Sequence, residues 1–575
     1  MTGPRVFKVL SSSTHAVQFR IQDRGSASTV LEKEADFIIV GAGSAGCVLA
    51  DKLSESGKHQ VLLLEAGPSD DRFWIRTPIG YGITYTDPRV NWCYSAEPDP
   101  AIANRQLFWP RGKVLGGSSS INAMVYHRGQ AADYDDWERA GNSGWGYSDV
   151  KQVYESFEEF STTSGARQTA SSNPRSGNRL TIHDASADYH SLKHEFVEAF
   201  LQAGLNCPED LCLEGEGVGP YLITTRAGKR CSSATAFLHP ASDRCNLDIL
   251  TNTTVTRINI ERGAAIGVRC LSDNQFIEIK ARKEVLLCAG AVNSPQLLQL
   301  SGIGPGELLQ THGVQSVLEH PHVGRHLQDH LGISYFYRAN RATLNRTLRS
   351  WPGRIGAGIQ YLLRRSGPLS LSVNQIGGLA RSCAGLETSD TQLYCNPVSY
   401  QPAEGETRKL TLPDPYPGFI MGFNPCRPTS EGFIEIGSSD PHAPPRITTD
   451  YLTTQQDLDG VVSMARLVGR IQDTKAIRDI LAEPPDLDLT RMADDDILND
   501  FRQRSTTVYH PCGTCRMGAD IQSAVVNADL QVFGIQGLRV VDASIFPNIT
   551  SANTNAPTIM VAHEAARRIL KHLDS

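Results

Sequence analysis

The sequence predicts an α/β fold, α+β overall, with a discontinuous Rossmann-like domain and a second domain built on an antiparallel sheet. Three observations predict it. Near the start, Asp36-Phe-Ile-Ile-Val-Gly-Ala-Gly-Ser-Ala-Gly46 joins an apolar run to a glycine-rich turn. Buried apolar runs return at residues 247–250 and 284–288, and glycine-rich core signals return from Tyr509, so one core is interrupted and resumed. Between them, residues 331–500 change texture: alternating segments at 333–337, 418–423 and 432–436 are separated by proline-rich loops.

The first stretch is the most informative. Residues 37–40 are a four-residue apolar run, as in a strand buried on both faces. Gly41, Gly43 and Gly46 follow in G-x-G-x-x-G spacing, and residues 47–53 read as a helix packing back on the sheet. A second strand, 61–64, ends at Glu65, 24 residues after Gly41. Gly41 makes the tight turn. Gly43, lacking a side chain, lets a pyrophosphate approach the backbone. Gly46 allows close helix–strand packing. The helix start offers free N–H groups to phosphate, and Glu65 can accept hydrogen bonds from a ribose. A glycine turn without a ligand is the alternative. Strand, glycines, helix, strand and acid in that order favour dinucleotide binding.

Composition narrows the remaining choices. A chain of 575 residues suggests two to four domains. Net charge is −7 and there is no basic block, so neither a nucleic-acid nor a membrane-surface footprint is expected. No run of 18 apolar residues exists, which excludes a spanning helix by that measure. Thirteen scattered cysteines suit reduced core residues of an intracellular protein better than a disulfide framework. The first 35 residues lack a signal-peptide core and read as an extension or surface strand. Arg5, Lys8, Arg20 and Arg24 among serines faintly suggest a mitochondrial transit peptide, but Asp23 and the lack of amphipathic period argue against it, so a cytoplasmic location is expected.

In order along the chain, a loop-rich segment after Gly67 leads to Arg111-Gly-Lys-Val-Leu-Gly-Gly-Ser-Ser-Ser-Ile-Asn-Ala-Met. Its glycines and donors suit a phosphate or a flat ring, or equally a serine-capped helix start. Residues 133–160 read as polar helices anchored by Trp137 and Trp145, 161–180 as an exposed loop and 190–204 as a helix. Short strands are expected at 247–250, 255–260, 265–268 and 276–279, and helices near 458–473. The expected division is an extension at 1–35, a nucleotide-binding domain at 36–160, 215–330 and 505–575, and a substrate domain at 161–214 and 331–504.

Four separated blocks carry a family resemblance. They are the opening fingerprint; the Arg111 block; Gly290-Ala-Val-Asn-Ser-Pro-Gln-Leu-Leu-Gln-Leu-Ser-Gly-Ile-Gly304; and a C-terminal block holding Tyr509-His-Pro-Cys-Gly-Thr-Cys-Arg-Met-Gly, Gly537-Leu-Arg-Val-Val-Asp-Ala-Ser and Asn553-Thr-Asn-Ala-Pro-Thr558. Over about residues 36–570 the chain resembles the glucose-methanol-choline (GMC) flavoprotein oxidoreductases, in the choline dehydrogenase-like alcohol dehydrogenase branch. The resemblance implies FAD. It places the pyrophosphate over Gly41 to Gly46, with Ser44 and Ala45 between, and the ribose at Glu65 beside Ala66. The flavin ring would lie near Gly116, Gly117, Asn122 and Ala123, with Arg111, Val114, Ser118 and Val125 around it. Val255 would meet the adenine. Ala289, Gly290, Asp542, Ala543, Asn555, Pro557 and Thr558 would complete the cofactor site. Some members bond the flavin covalently through a histidine whose matching position here is Ile121, so non-covalent FAD is expected.

The implied reaction is oxidation of an alcohol to an aldehyde or ketone, with hydride passing to flavin N5. His510 matches the family's catalytic base, and histidine suits that task near neutral pH. Asn555 is matched to the second catalytic position, where it would hold the substrate oxygen; helix capping is its alternative reading. The electron acceptor would be a quinone, a dye or oxygen, the last making the enzyme an oxidase that releases hydrogen peroxide. Cys512 and Cys515 invite a redox or zinc reading, but without a second ligand pair they are expected to be packing residues. Cys426-Arg427 with Arg446 is similar to the light-driven decarboxylase branch, which lacks a histidine at position 510; lyases of the same fold are a further alternative.

Overall fold

The computed structural model describes residues 31–162, 165–166, 179–208, 215–400 and 412–574. The expected N-terminal extension up to residue 30 and most of the exposed loop read at 161–180 lie outside them.

The nucleotide half is a seven-stranded sheet. Four strands run in the order Leu247–Leu250, Val61–Leu64, Leu31–Val40, Gln275–Leu287, all parallel, and Leu538–Val540 adds to the last of them in parallel. Val61–Leu64 is buried throughout, and Phe37, Ile38 and Ile39 have no exposed surface, as a sheet covered on both faces requires. Two readings change here. The first strand begins at Leu31 rather than 37, because Leu31 to Ala35 pair with Ile277 to Ala281 before a bulge at Ala35/Phe37. The runs read as separate strands at 276–279 and 284–288 are one strand, Gln275–Leu287. Its first part also pairs antiparallel with Ala264–Ser272, and its last part with Leu538–Val540. Helix Ser44–Ser54 packs against the sheet and against the C-terminal helix Asn555–Asp574.

The second half is a six-stranded antiparallel sheet in the order Thr506–Thr507, Leu331–Arg338, Gly418–Pro425, Thr391–Asn396, Ile376–Ala380, Gly217–Pro220. Gly217–Pro220 and Thr506–Thr507 belong to this sheet although both fall inside segments assigned from sequence to the nucleotide domain. Likewise Glu158–Thr162 and Leu180–Asp184 join Val125–Tyr126 and Leu222–Ile223 in a five-stranded sheet that draws on both expected domains. Phe433–Glu435, read as a strand of the large sheet, pairs only with Arg446–Thr448. Strand period decides which residues reach the site. On Thr391–Asn396, Leu393 and Cys395 enter the core beneath helix Gln455–Gln472, while Gln392, Tyr394 and Asn396 face the cavity between the two halves.

Candidate active site

One cavity of about 980 Å³ runs from Glu65 and the glycine turn to His510. All the residues expected at the site line it except Gly46, Val114, Gly116 and Pro557. Those four stand just behind its wall. A Cβ on Gly46 would sit 1.9 Å from the Gly41 carbonyl oxygen, so its role is helix–strand contact. Val114 packs with Ile75, Val90 and Ile121. Gly116 donates its N–H to Ala42 at 2.7 Å. Pro557 is in the first turn of helix Asn555–Asp574, where a proline costs no hydrogen bond.

The end near Glu65 is built to hold a dinucleotide. Gly41 has φ +101°, and a Cβ there would come within 2.6 Å of the Cys288 carbonyl. A Cβ on Gly43 or Gly290 would instead point into free space, its nearest neighbour 3.8 Å away for Gly43 and beyond 4 Å for Gly290. The backbone at both positions is therefore open to a ligand. Helix Ser44–Ser54 starts at Gly43 with no side-chain cap, leaving its first N–H groups for an anion. Glu65 is held at both oxygens, accepting from Ala42 N at 2.9 Å and Gly67 N at 2.8 Å. Each oxygen keeps a lone pair for a ribose hydroxyl. Burial raises its carboxyl to about 7, against the lowering effect of those two N–H groups. Asp542 accepts from Gly290 N and Ser294 Oγ and so fixes the start of helix Gly290–Leu300. These residues fit the adenosine and pyrophosphate of FAD.

The middle block folds onto the first through glycine. A Cβ on Gly117 would lie 2.7 Å from Gly43 Cα, so the two glycine turns touch. Asn122 is oriented by Arg230, a buried residue that sequence reading missed. Arg230 donates to Asn122 Oδ1 at 2.8 Å and to the carbonyls of Ile75 and Ser119. No motif marks it, since it lies far from the block in sequence.

His510 sits at the other end. Tyr509 before it has φ +71°, a conformation that side-chain-bearing residues avoid. Its neighbours hold it there. Asp329 accepts from the His510 N–H at 2.7 Å and from the hydroxyls of Thr507 and Tyr451, both at 2.6 Å. Arg111 donates to the Tyr509 carbonyl at 2.7 Å. Burial is the largest cause of a His510 proton affinity well below that of free imidazole, followed by His330 and Arg111.

The partner of His510 is Asn553, not Asn555. Asn553 Nδ2 lies 3.1 Å from His510 Nε2. Asn555, two residues on, turns the other way and accepts from Ser44 Oγ at 2.7 Å, at the start of the nucleotide helix. Asn-Thr-Asn offers two equivalent amides, and only the chain's direction entering the final helix separates them. His330 is a second residue missed from sequence. Its Nδ1 is 2.9 Å from His510 Nδ1, and its Nε2 is 2.8 Å from the Cys426 carbonyl.

That carbonyl can only accept, so His330 carries its proton on Nε2. Burial lowers His330 to about 4, leaving its Nδ1 bare. His510 then donates from Nδ1 and presents an unprotonated Nε2 to Asn553. The hydrogen-bond network thus fixes the tautomer that a base facing the cavity needs.

Cys512 and Cys515 are fully buried, and burial pushes both thiols well above their ordinary range. Among the described residues no cluster could hold a metal, and the twelve described cysteines are all free. Arg427 pairs with Asp136 and is 3.8 Å from Asp133.

The family model for GMC oxidoreductases matches residues 35–332 with its N-terminal part and 428–562 with its C-terminal part. The alcohol dehydrogenase (acceptor) of Pseudomonas putida is 38% identical over 548 residues, covering 94% of this chain and 96% of that protein. The oxygen-dependent choline dehydrogenase of Brucella anthropi is 37% identical over 546 residues, 93% of this chain and 96% of that one. Among solved structures, pyridoxine 4-oxidase from Mesorbium loti superposes with a TM-score of 0.81 at 29% identity, over 93% of this chain and 99% of that one. Two family-model matches and relatives spanning nearly the whole chain lead to one assignment: the protein belongs to the GMC oxidoreductase family of FAD-dependent enzymes.

Proposed function

We propose that the protein oxidises a neutral alcohol to the aldehyde or ketone, with His510 taking the hydroxyl proton and Asn553 holding the substrate oxygen. The observation that carries this reading is the 3.1 Å contact between His510 Nε2 and the Asn553 amide, in the same cavity as the Glu65 and glycine cradle. When bound, FAD supplies the hydride acceptor. His510 supplies the base, Asn553 the donor that orients the hydroxyl, and Asp329 the anchor that keeps His510 in place. Ile121, at the cavity wall, offers no nucleophile, in keeping with FAD bound without a covalent bond.

The substrate class follows from the walls. Among the described residues, the acids lining the cavity are Glu65, Glu97 and Asp542. Glu65 and Asp542 are bonded to backbone N–H groups, and Glu97 lies 3.8 Å from Arg446. Among these three, each carboxylate therefore already faces an N–H group or an arginine, which disfavours a cationic head such as choline's. Tyr81, Tyr94, Tyr221, Tyr394 and Met124 contribute broad apolar surface instead. A neutral alcohol with an apolar or aromatic body is the substrate this favours. For the acceptor we propose a quinone, with oxygen the competing choice.

The test is anaerobic mixing of the FAD-loaded protein with a panel of alcohols while the flavin absorbance is followed, then admission of air or a quinone. Bleaching by neutral aryl or alkyl alcohols and faster recovery with quinone than with air is the expected result. Rapid recovery in air would make it an oxidase. Bleaching by choline alone would overturn the substrate assignment, and no bleaching by any alcohol would overturn hydride transfer.

A further inference from the structure

Between Asp329 and Glu387 the chain carries eight arginines and no lysine, aspartate or glutamate, in a protein of net charge −7. The arginines are spread out, so they form no basic block; the signal is the missing acids. In the middle lies helix Trp351–Arg364. Its Ala357 and Tyr361 are buried against the protein. Its opposite side is apolar and uncovered by any described residue. Trp351, Ile355, Ile359 and Leu363 recur every fourth residue, joined by Leu362, so five apolar side chains share an arc of roughly 120°. Trp351 is 77% and Leu363 79% exposed. A surface helix of a globular protein ordinarily puts its apolar stripe inward and polar residues outward. Here both faces are apolar.

The patch extends beyond the helix. Phe73 meets Tyr361 edge to face at 6.3 Å, and both Phe73 and Trp74 are exposed. Helix Tyr81–Thr84 adds exposed Ile83, while Tyr81 and the following Tyr85 wall the active-site cavity. Three of the eight arginines are ion-paired: Arg338 with Glu483, Arg341 with Glu195 and Arg381 with Glu216. The other five, Arg346, Arg349, Arg354, Arg364 and Arg365, are exposed around the stripe without a carboxylate partner among the described residues.

We propose that this face seats on an anionic lipid bilayer, with helix Trp351–Arg364 lying in the plane of the interface. Trp351, Ile355, Ile359, Leu362 and Leu363 enter the boundary between headgroups and acyl chains, and the arginines meet lipid phosphates. The charge pattern selects this occupant. A two-fold contact with a second copy would set these arginines against themselves. Among the described residues no helix is long and apolar enough to cross a membrane, so the seating is peripheral. It brings the Tyr81–Tyr85 wall of the cavity next to the lipid. The proposal is independent of which alcohol is oxidised.

The experiment is flotation of the full, FAD-loaded protein with vesicles of phosphatidylcholine alone or mixed with phosphatidylglycerol. The protein is expected to float with the mixed vesicles, less with the neutral ones and less at high salt. Tryptophan emission should shift to the blue and be quenched by brominated acyl chains, and Trp351→Phe should reduce that quenching, with Trp74 at the edge of the patch accounting for the remainder. Ile359→Asp with Leu363→Asp should weaken vesicle binding roughly tenfold or more per side chain, with flavin content and thermal midpoint unchanged. Arg364→Glu with Arg365→Glu keeps the apolar face and should abolish the preference for anionic vesicles, which decides the matter if the aspartate variant does not fold. Protein that stays in solution with both vesicles would overturn the proposal. So would a concentration-dependent dimer, broken by Ile359→Asp, in a chain that does not float.

Discussion

His330 and His510 meet nitrogen to nitrogen, their Nδ1 atoms 2.9 Å apart and their rings at 85°. With the Cys426 carbonyl behind His330, the hydrogen bonds run in one direction and leave the base open at Nε2. His330→Ala removes the acceptor that holds the proton on His510 Nδ1. The expected loss in kcat is about a hundredfold, the lower part of the range for acid–base catalysis, with flavin content unchanged. Asparagine carries an oxygen close to the place of Nδ1, so His330→Asn should recover part of the rate and His330→Gln less. Equal loss in all three would make His330 a packing residue only.

Asn553 and Asn555 separate in the same way. Asn553→Ala removes the amide beside His510 and is expected to lower kcat/KM by about tenfold to a hundredfold, since a hydrogen bond realised at a developing charge is worth about 1.5–3 kcal/mol. Flavin content should not change. Asn555→Ala loosens Ser44 at the start of the nucleotide helix, so flavin should dissociate more readily on dilution while kcat per bound flavin holds. The opposite assignment of the two effects would restore Asn555 to the substrate.

Much of this was legible in the sequence because the nucleotide half is local. Phe37 to Glu65 is strand, turn, helix, strand and acid in one run, and each glycine has a neighbour within that run or at Cys288. The substrate half is not local. Its sheet is joined from six segments between Gly217 and Thr507, and the residues that finish the site are isolated from every motif. Arg230 reaches Asn122 across 108 positions, and His330 reaches His510 across 180. That Asn553 rather than Asn555 lies beside His510 was hidden for a different reason: spacing cannot say which way an amide points when the chain turns into a helix between them. Helix Trp351–Arg364 drew no expectation from the sequence, where residues 331–500 read as antiparallel strands and proline-rich loops, and its period alone does not reveal on which side the protein packs.

Glu65 is the residue on which cofactor retention should turn. Both its oxygens are already engaged by N–H groups, so Glu65→Gln would place an amide NH2 against one of them. FAD affinity is expected to fall by about 1–3 kcal/mol, the cost of an unmatched buried group, or roughly tenfold to a hundredfold in Kd. Ribose hydroxyls favour the ionised carboxylate, and the cofactor-free carboxyl is raised to about 7. Wild-type affinity should therefore weaken as pH falls below 7, and that slope should vanish in Glu65→Gln. Flavin fluorescence on titration reads both; a pH-independent wild-type Kd would exclude Glu65 from the ribose.

The buried histidines set the acid limits. His510 acts only when neutral, and its proton affinity is held well below the free value of 6.5. The acid limb of kcat/KM should therefore lie below pH 6.5, and a limb above pH 7 would remove His510 as the base. Stability carries the same sign. His127, 1% exposed, is lowered to about 4 by burial and then by Arg128, and His330 is lowered to about 4 by burial. Below about pH 6.5 the unfolded chain takes up protons there while the fold refuses them until about pH 4, so stability falls as pH drops through that window. His127 accepts the Gly129 N–H at Nδ1, which an asparagine oxygen can still do. In His127→Asn the thermal midpoint should fall less steeply between pH 6.5 and 4 than in the wild type, measured on the FAD-loaded protein so that Glu65 does not titrate alongside. Parallel slopes would mean that His127 is already protonated in the fold.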